Sequence, residues 1–106
     1  MGLVRAVYEA TEGWPVREQF GLTGQVRRAA VSIPSNIAEG KGRSGIREYV
    51  HHLSIAHGSL CELETQLLIA HDLAYLPSNE IDRLMDQAAE VGRLLRALII
   101  KLQRTG

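Results

Sequence analysis

The sequence predicts an all-α protein and, within that class, an antiparallel up-down-up-down four-helix bundle. Two long stretches place an apolar or aromatic residue at alternating steps of three and four, which puts these residues on one stripe of an α-helix. The first stripe is Ile46, Tyr49, Leu53, Ala56, Leu60, Leu63, Leu67, Ala70 and Ala74. The second is Ile81, Leu84, Ala88, Val91, Leu95, Leu98 and Leu102. Helices pack along such stripes, and short connections make consecutive helices antiparallel neighbours.

The composition predicts a single domain over residues 1–106 with one core, since the chain has 106 residues. It has one cysteine, Cys61, which excludes an internal disulfide and fits a reducing compartment. No stretch approaches the roughly 18 apolar residues needed to cross a bilayer, so we expect a cytoplasmic protein without membrane contact. The 12 basic residues balance the 12 acidic ones, so nucleic-acid binding would depend on how the charges are arranged.

The first predicted helix covers residues 3 to 11 and ends at a Gly-Trp-Pro break. In the loop that follows, Trp14 and Phe20 are expected to cap one end of the core. Thr23 is the predicted N-cap of the second helix, since its hydroxyl can accept a hydrogen bond from a first-turn amide.

The second predicted helix ends near Gly40 and contains Pro34. Proline has no amide donor and its ring presses on the preceding turn, so we expect a kink. Ser32, Ser35 and Asn36 are expected to hydrogen-bond the polar groups that the kink frees.

Ser44 is the predicted cap of the third helix, which runs to about Tyr75 and would be roughly 45 Å long. Pro77 and Ser78 open the fourth helix, which has acidic residues in its first turn and basic residues in its last. This arrangement suits the helix dipole.

The third helix has a second stripe of small and apolar residues roughly opposite its core stripe. We expect it to pack against another copy of the chain, because small residues allow close approach and the larger ones favour burial. The alternative is apolar residues scattered over the surface of a monomer. The residues of this predicted interface are Ser54, Ile55, Gly58, Cys61, Thr65, Leu68 and Ile69.

The predicted topology collects cations at one end of the bundle, opposed there by Glu39 and Glu48 alone. A cyclic oligomer would repeat this end as a ring able to follow a phosphate backbone. The alternative is that these charges only complement the helix dipoles. Arg5 belongs to the cationic end, and the predicted nucleic-acid-binding residues there are Lys41, Arg43, Arg47, Arg96, Lys101 and Arg104.

We expect no catalytic residues, metal ligands or cofactor, and therefore no enzyme. Glu48 and His51 have the spacing of a helical metal site, but no second pair of this kind exists. The serines have no His and acid partners that spacing suggests, and the glycines at 40, 42 and 45 follow no strand, unlike a phosphate-binding loop.

Two segments resemble a known family. FGLTGQVRRAAVSIPSNIAEGKGR at residues 20–43 and IAHGSLCELETQLLIAHDLAYL at residues 55–76 are similar to the four-helix-bundle family named for open reading frames in 23S rRNA intervening sequences. The resemblance implies a homopentameric ring without enzymatic activity, and a longer first helix than this chain offers. Family members resemble the accessory protein of diversity-generating retroelements, which binds nucleic acid and a reverse transcriptase but is strongly basic, unlike this neutral chain.

Within the family motif, the matching positions are expected to be structural, with Glu39 paired to an arginine. These positions are Arg27, Arg28, Asn36, Glu39, Lys41 and Arg43. The first functional hypothesis is a non-enzymatic oligomer that contacts RNA or DNA weakly through its cationic end. The second is an adaptor that binds a protein partner and no nucleic acid. An enzyme with its site between subunits is a third possibility.

Overall fold

The computed structural model describes residues 2–105. Four α-helices follow one another along the chain: α1 at Gly2–Thr11, α2 at Leu22–Lys41, α3 at Ile46–Asp72 and α4 at Ser78–Thr105. A short 3-10 helix, Val16–Glu18, lies between α1 and α2. No β-strand occurs among residues 2–105, which confirms the all-α prediction. No helix in this range is long and apolar enough to cross a membrane.

The core consists largely of the two predicted stripes. Six side chains of the first stripe are buried on α3: Leu53, Ala56, Leu60, Leu63, Leu67 and Ala70. Four of the second are buried on α4: Ile81, Leu84, Ala88 and Leu95. The ends of the first stripe leave the core, because Ile46 stands in the first turn of α3 and Ala74 lies beyond its end with φ 66°.

α3 is the central helix, since both α2 and α4 pack against it. Within residues 2–105, no Cα atom of α2 comes within 8 Å of one in α4. α1 contacts both of these helices and so lies in the groove between them. Arg27 joins α2 to α1. Its Nε donates to Thr11 Oγ1 at 2.9 Å, and its guanidinium lies 4.7 Å from the centre of the Tyr8 ring.

α1 fills only part of this groove. At roughly 15 Å it is much shorter than α4 at roughly 42 Å. Gly2, at one end of α1, lines a pocket with Leu94, and Ala10, at the other end, lines a pocket with Glu80. The carboxyl part of α4 therefore extends past α1, and Leu94 is 65% exposed at that boundary.

Both predicted N-caps are wrong. The residue before α2 is Gly21, and the amide of Leu22 donates to Glu18 Oε1 at 3.2 Å, so a carboxylate from the 3-10 helix supplies the acceptor. Thr23 is inside the helix, with its hydroxyl buried and without a partner among the described residues. The N-cap of α3 is Gly45, whose φ of 99° lies in the left-handed region, and Ser44 is exposed.

α2 continues through Pro34 and ends one residue beyond the predicted position. The expected hydrogen bonding around the proline is present in part. Asn36 Nδ2 donates to the carbonyl of Ser32 at 2.9 Å and to its hydroxyl at 3.0 Å. Ser35 is exposed.

Candidate nucleic-acid interface and subunit interface

The end of α2 packs very closely on the start of α3. A Cβ atom added at Gly40 would lie 2.7 Å from His52 Cβ and 3.1 Å from Tyr49 Cδ1, which is too close for any side chain. Glycine at this position therefore allows the two helices to meet. This contact fixes the position of the turn at residues 42–45 and of the cations on either side of it.

Polar side chains join the same two helices further along. Asn36 Oδ1 lies 3.2 Å from His52 Nδ1, and Ser32 Oγ lies 2.8 Å from Ser59 Oγ. With the Asn36 to Ser32 bonds, these contacts form one network between α2 and α3. The network holds the helices in register behind the turn.

The last turns of α4 reach the first turn of α3. Between them lies an open cleft of about 460 Å³, lined by Ile46, Arg47, Val50, Leu102 and Gln103. The residues that line this cleft show that the carboxyl end of α4 lies near the α2–α3 turn. The exposed cations that these three segments bring to one end are here called the basic pole: Lys41, Arg43, Arg47, Lys101 and Arg104.

Two predicted members of this end lie elsewhere. Arg96 lines a cavity between α3 and α4 with His57 and Cys61, about two turns before the end of α4. Arg5 of α1 lines a cavity with Arg83 and Gln87 of α4, well before the last turns of that helix. The local charge is therefore five cations against two carboxylates, or plus three, instead of the plus five expected from the sequence.

Arg43 is the one cation of the basic pole that forms an ion pair within residues 2–105. Its Nη2 lies 2.7 Å from Glu39 Oε1, which confirms the predicted arginine partner of Glu39. The hydrogen bond and charge of Arg43 lower the pKa of Glu39, and the same contact raises the pKa of Arg43. Both side chains are about half exposed, so water screens the pair and its contribution to stability is small.

The predicted interface residues of α3 lie on one exposed side of the helix, called here the outer α3 face. Its members are Ser54, Ile55, Gly58, Cys61, Thr65, Leu68 and Ile69, and all of them are exposed in the single chain. The large apolar side chains are 40% exposed at Ile55, 54% at Leu68 and 46% at Ile69. This exposure is compatible with an interface, and the interface itself stays a prediction.

The loop before α2 corrects one prediction. Trp14 is 7% exposed and its ring centre lies 5.9 Å from that of Tyr75, so it does close one end of the core. Phe20, however, is 90% exposed, and Val16 in the same segment is 85% exposed. The 3-10 helix and the turn after it leave these two side chains in solvent, while Glu18 accepts a hydrogen bond from Tyr75 Oη at 2.9 Å.

Few reactive side chains lie together. Among residues 2–105, no group of three or more histidine, cysteine, aspartate or glutamate residues has the geometry to hold a metal ion. Cys61 Sγ lies 3.8 Å from His57 Nδ1 on the exposed surface of α3, and these two residues stand one turn apart. The predictions that the protein has no cofactor and no enzymatic activity stay predictions.

Comparison with known proteins identifies a family and solved structures of similar fold. The family model described as 23S rRNA-intervening sequence protein matches residues 1–97. A crystal structure of a protein of unknown function from the S23 ribosomal protein family of Bacteroides thetaiotaomicron has a TM-score of 0.82 and 23% sequence identity. That match covers 92% of this chain and 87% of the other, and at this identity it supports the fold alone. No curated protein matches the chain.

Proposed function

Since the chain belongs to the 23S rRNA-intervening sequence protein family, we propose that it is a non-enzymatic oligomer that binds RNA or DNA weakly through its basic pole. The observation that carries this proposal is the grouping of five exposed cations at one end of a chain with no net charge. In a ring-shaped oligomer, a homopentamer by the family resemblance, each subunit adds one such group to a common surface.

The proposed architecture is the antiparallel up-down-up-down bundle. The order of contacts supports it: Ser32 meets Ser59, Asn36 meets His52, and Gly40 meets Tyr49, so residue numbers rise on α2 as they fall on α3. α3 and α4 follow the same rule, since Leu60 lies beside Gly92 and Ile46 beside Leu102.

The binding we propose is electrostatic and independent of sequence. Lysine and arginine side chains on the helix ends can reach phosphate oxygens, and no aromatic residues are interleaved with them to stack on bases. Four cations of the basic pole have no ion-pair partner among residues 2–105 and are free for phosphate: Lys41, Arg47, Lys101 and Arg104. Four phosphate contacts to a single strand give a slope of log affinity against log salt of about −2.8.

The test is the salt dependence of binding to a labelled single-stranded RNA of arbitrary sequence. With four contacts, the affinity of the parent chain should fall about 50-fold between about 50 and 200 mM salt. The triple variant Lys41→Glu, Arg47→Glu and Lys101→Glu should lose measurable binding.

A matched control reverses three exposed arginines outside the basic pole, at Arg5, Arg83 and Arg93. It changes the net charge by the same amount and should keep the parent slope, although its affinity falls with the net charge. Equal loss in both variants would mean that net charge alone drives binding, and the proposal would be wrong.

The second candidate is an adaptor that binds a protein and no nucleic acid. Large exposed apolar side chains, above all Phe20 at 90% and Val16 at 85%, favour protein contacts. A parent chain that binds no RNA or DNA even at low salt would support this candidate.

A further inference from the structure

The cleft at the basic pole, between the start of α3 and the end of α4, has the size and lining of a ligand site. Its volume is about 460 Å³, within the roughly 300–1,000 Å³ of small-molecule sites. The walls are apolar at Ile46, Val50 and Leu102, and the polar lining residues are Arg47 and Gln103. Ile46 is 37% exposed, so part of this apolar wall is open to water. Apolar walls with a few polar groups are typical of sites that bind small ligands or parts of larger ones.

The surroundings of this cleft are positively charged. Arg47 lines it, and Lys101 and Arg104 lie in the same last turns of α4 that form its other wall. None of these three cations forms an ion pair within the part of the chain that the structure describes. Glu48 is the one carboxylate in the first turn of α3, and Glu39 of α2 is already paired with an arginine. An apolar cleft with a positive surround favours an occupant that joins an apolar part to an anionic part.

A nucleotide has this composition, since its base is a flat ring with a polar edge and its phosphate is an anion. Proteins hold unpaired bases by stacking on aromatic rings or arginine planes and by hydrogen bonds to the base edge. Here the Arg47 guanidinium can take the role of the aromatic ring, because it lines the cleft and has no carboxylate partner among residues 2–105. The Gln103 amide offers both a donor and an acceptor to the base edge.

An acidic peptide segment would match the same charges and apolar walls. The two polar lining residues favour the base instead. A planar guanidinium stacks on the face of an aromatic ring, and an aliphatic side chain offers no such face.

We propose that the cleft between α3 and α4 receives an unpaired base of a single-stranded nucleic acid whose phosphates lie on the cations of the basic pole. The inference rests on the proposed function and names the form of nucleic acid that the site takes. Phosphate contacts alone favour a duplex, because its charge density is higher. A base enters the cleft only from a strand in which it is unpaired, so the cleft favours single strands. Stacking accepts any base, so the binding stays independent of sequence.

The experiment compares three labelled RNA ligands of equal length at one low salt concentration: a single strand, the same strand without its bases, and the duplex of the same sequence. The parent chain should bind the intact strand at least about fivefold more tightly than the abasic strand, which is the lower end of the contribution of one stacked base. It should also bind the intact strand more tightly than the duplex.

Two variants locate the base without changing the charge. Ile46→Ser removes an apolar wall of the cleft and should abolish most of the preference for the intact strand, while its affinity for the abasic strand stays that of the parent. Ile100→Ser is the matched control, because Ile100 is 43% exposed, close to the 37% of Ile46, and does not line the cleft. It should keep the parent preference. Circular dichroism checks that both variants are helical, and the comparison of ligands in the parent needs no variant.

The other outcomes overturn the inference in distinct ways. If the parent binds the intact and abasic strands equally, or prefers the duplex, no base enters the cleft, although phosphate binding by the basic pole stands. If Ile46→Ser keeps the parent preference, or Ile100→Ser loses it to the same extent, the base is held elsewhere. A parent that binds none of the three ligands refutes both the proposed function and the inference. Binding of a labelled peptide of alternating leucine and glutamate would then assign the cleft to a protein partner.

Discussion

Gly40→Ala tests whether the close approach of α2 and α3 positions the basic pole. The added methyl group would lie 2.7 Å from His52 Cβ, 3.1 Å from Tyr49 Cδ1 and 3.3 Å from the Tyr49 carbonyl oxygen. The Tyr49 carbonyl oxygen belongs to the backbone and His52 Cβ is bonded directly to it, so a change of rotamer cannot move either atom away. The helices must separate, and overpacking of this kind costs about 1–3 kcal/mol.

The substitution also has a favourable term, because alanine is better than glycine inside a helix by about 1 kcal/mol. Gly58→Ala isolates this term, since Gly58 is in the middle of α3 and nothing lies within 4 Å of an added Cβ. We therefore expect Gly58→Ala to stabilise the fold by about 1 kcal/mol and Gly40→Ala to destabilise it by about 1 kcal/mol.

Urea unfolding measures the difference of about 2 kcal/mol, which corresponds to more than about 1 M in midpoint for a slope of about 1.5 kcal/mol/M. Gly58 is on the outer α3 face, so Gly58→Ala could also change the association of subunits. The midpoints should therefore be measured at a protein concentration at which further dilution leaves them unchanged. Equal midpoints for the two alanine variants would refute the reasoning about the helix contact. Because the separation displaces the turn, Gly40→Ala should also weaken RNA binding.

Three further outcomes follow from the structure. Leu63→Ala, at a fully buried position, should cost about 2–5 kcal/mol in urea unfolding, whereas Leu94→Ala at a largely exposed position should cost much less. Asn36→Ala should cost about 1–2 kcal/mol by the same assay, because it removes the hydrogen bonds to Ser32 and leaves the His52 ring without that partner. The amide of Leu22 and then the hydroxyl of Tyr75 lower the pKa of Glu18 below 4.5. The stability from Glu18 is therefore complete above about pH 4.5 and is lost as the pH falls through the lowered pKa. Glu18→Gln should make the urea midpoint less sensitive to acid in that range, and an unchanged sensitivity would contradict the assignment.

The helices could be predicted from the sequence because their burial is periodic. Leu53, Leu60 and Leu67 repeat at the spacing of one helix face, and the structure buries all three. Phe20 has no such pattern around it, so its apolar character alone suggested burial. The backbone of the turn decides its orientation, and no spacing in the sequence reports that.

The errors at the N-caps have a different origin. Thr23 has the residue type and position of a cap, but Glu18 precedes it by more than one turn and its longer side chain reaches the Leu22 amide instead. The second helix was predicted to end near Gly40, which is close to its observed end, but the contact of Gly40 with α3 was not predicted. A glycine near the end of a stripe predicts a helix end, whereas its contact with α3 depends on a helix that comes later in the chain.

The candidate site was predictable only in part, because helix order gives the end on which a residue lies but not how far each helix extends. Lys41 and Arg47 lie on either side of the short turn between α2 and α3, so the sequence alone places them at the same end of the bundle. Arg5 was assigned to the same end on the assumption that α1 spans the bundle, and the structure shows that it does not. Arg96 was assigned there although two further turns of α4 follow it.

The incomplete filling of the groove between α2 and α4 makes the two ends of the molecule unequal in local stability. Where α1 is present, α4 packs against both α1 and α3, whereas the carboxyl part of α4 has α3 as its main support. We expect such a segment to fray more often, and its amides to exchange with deuterium sooner than those of the opposite end. The cations that we assign to phosphate binding are carried by this looser end. Polyanion binding there should slow deuterium uptake in the last turns of α4 while leaving the rest of the helix unchanged.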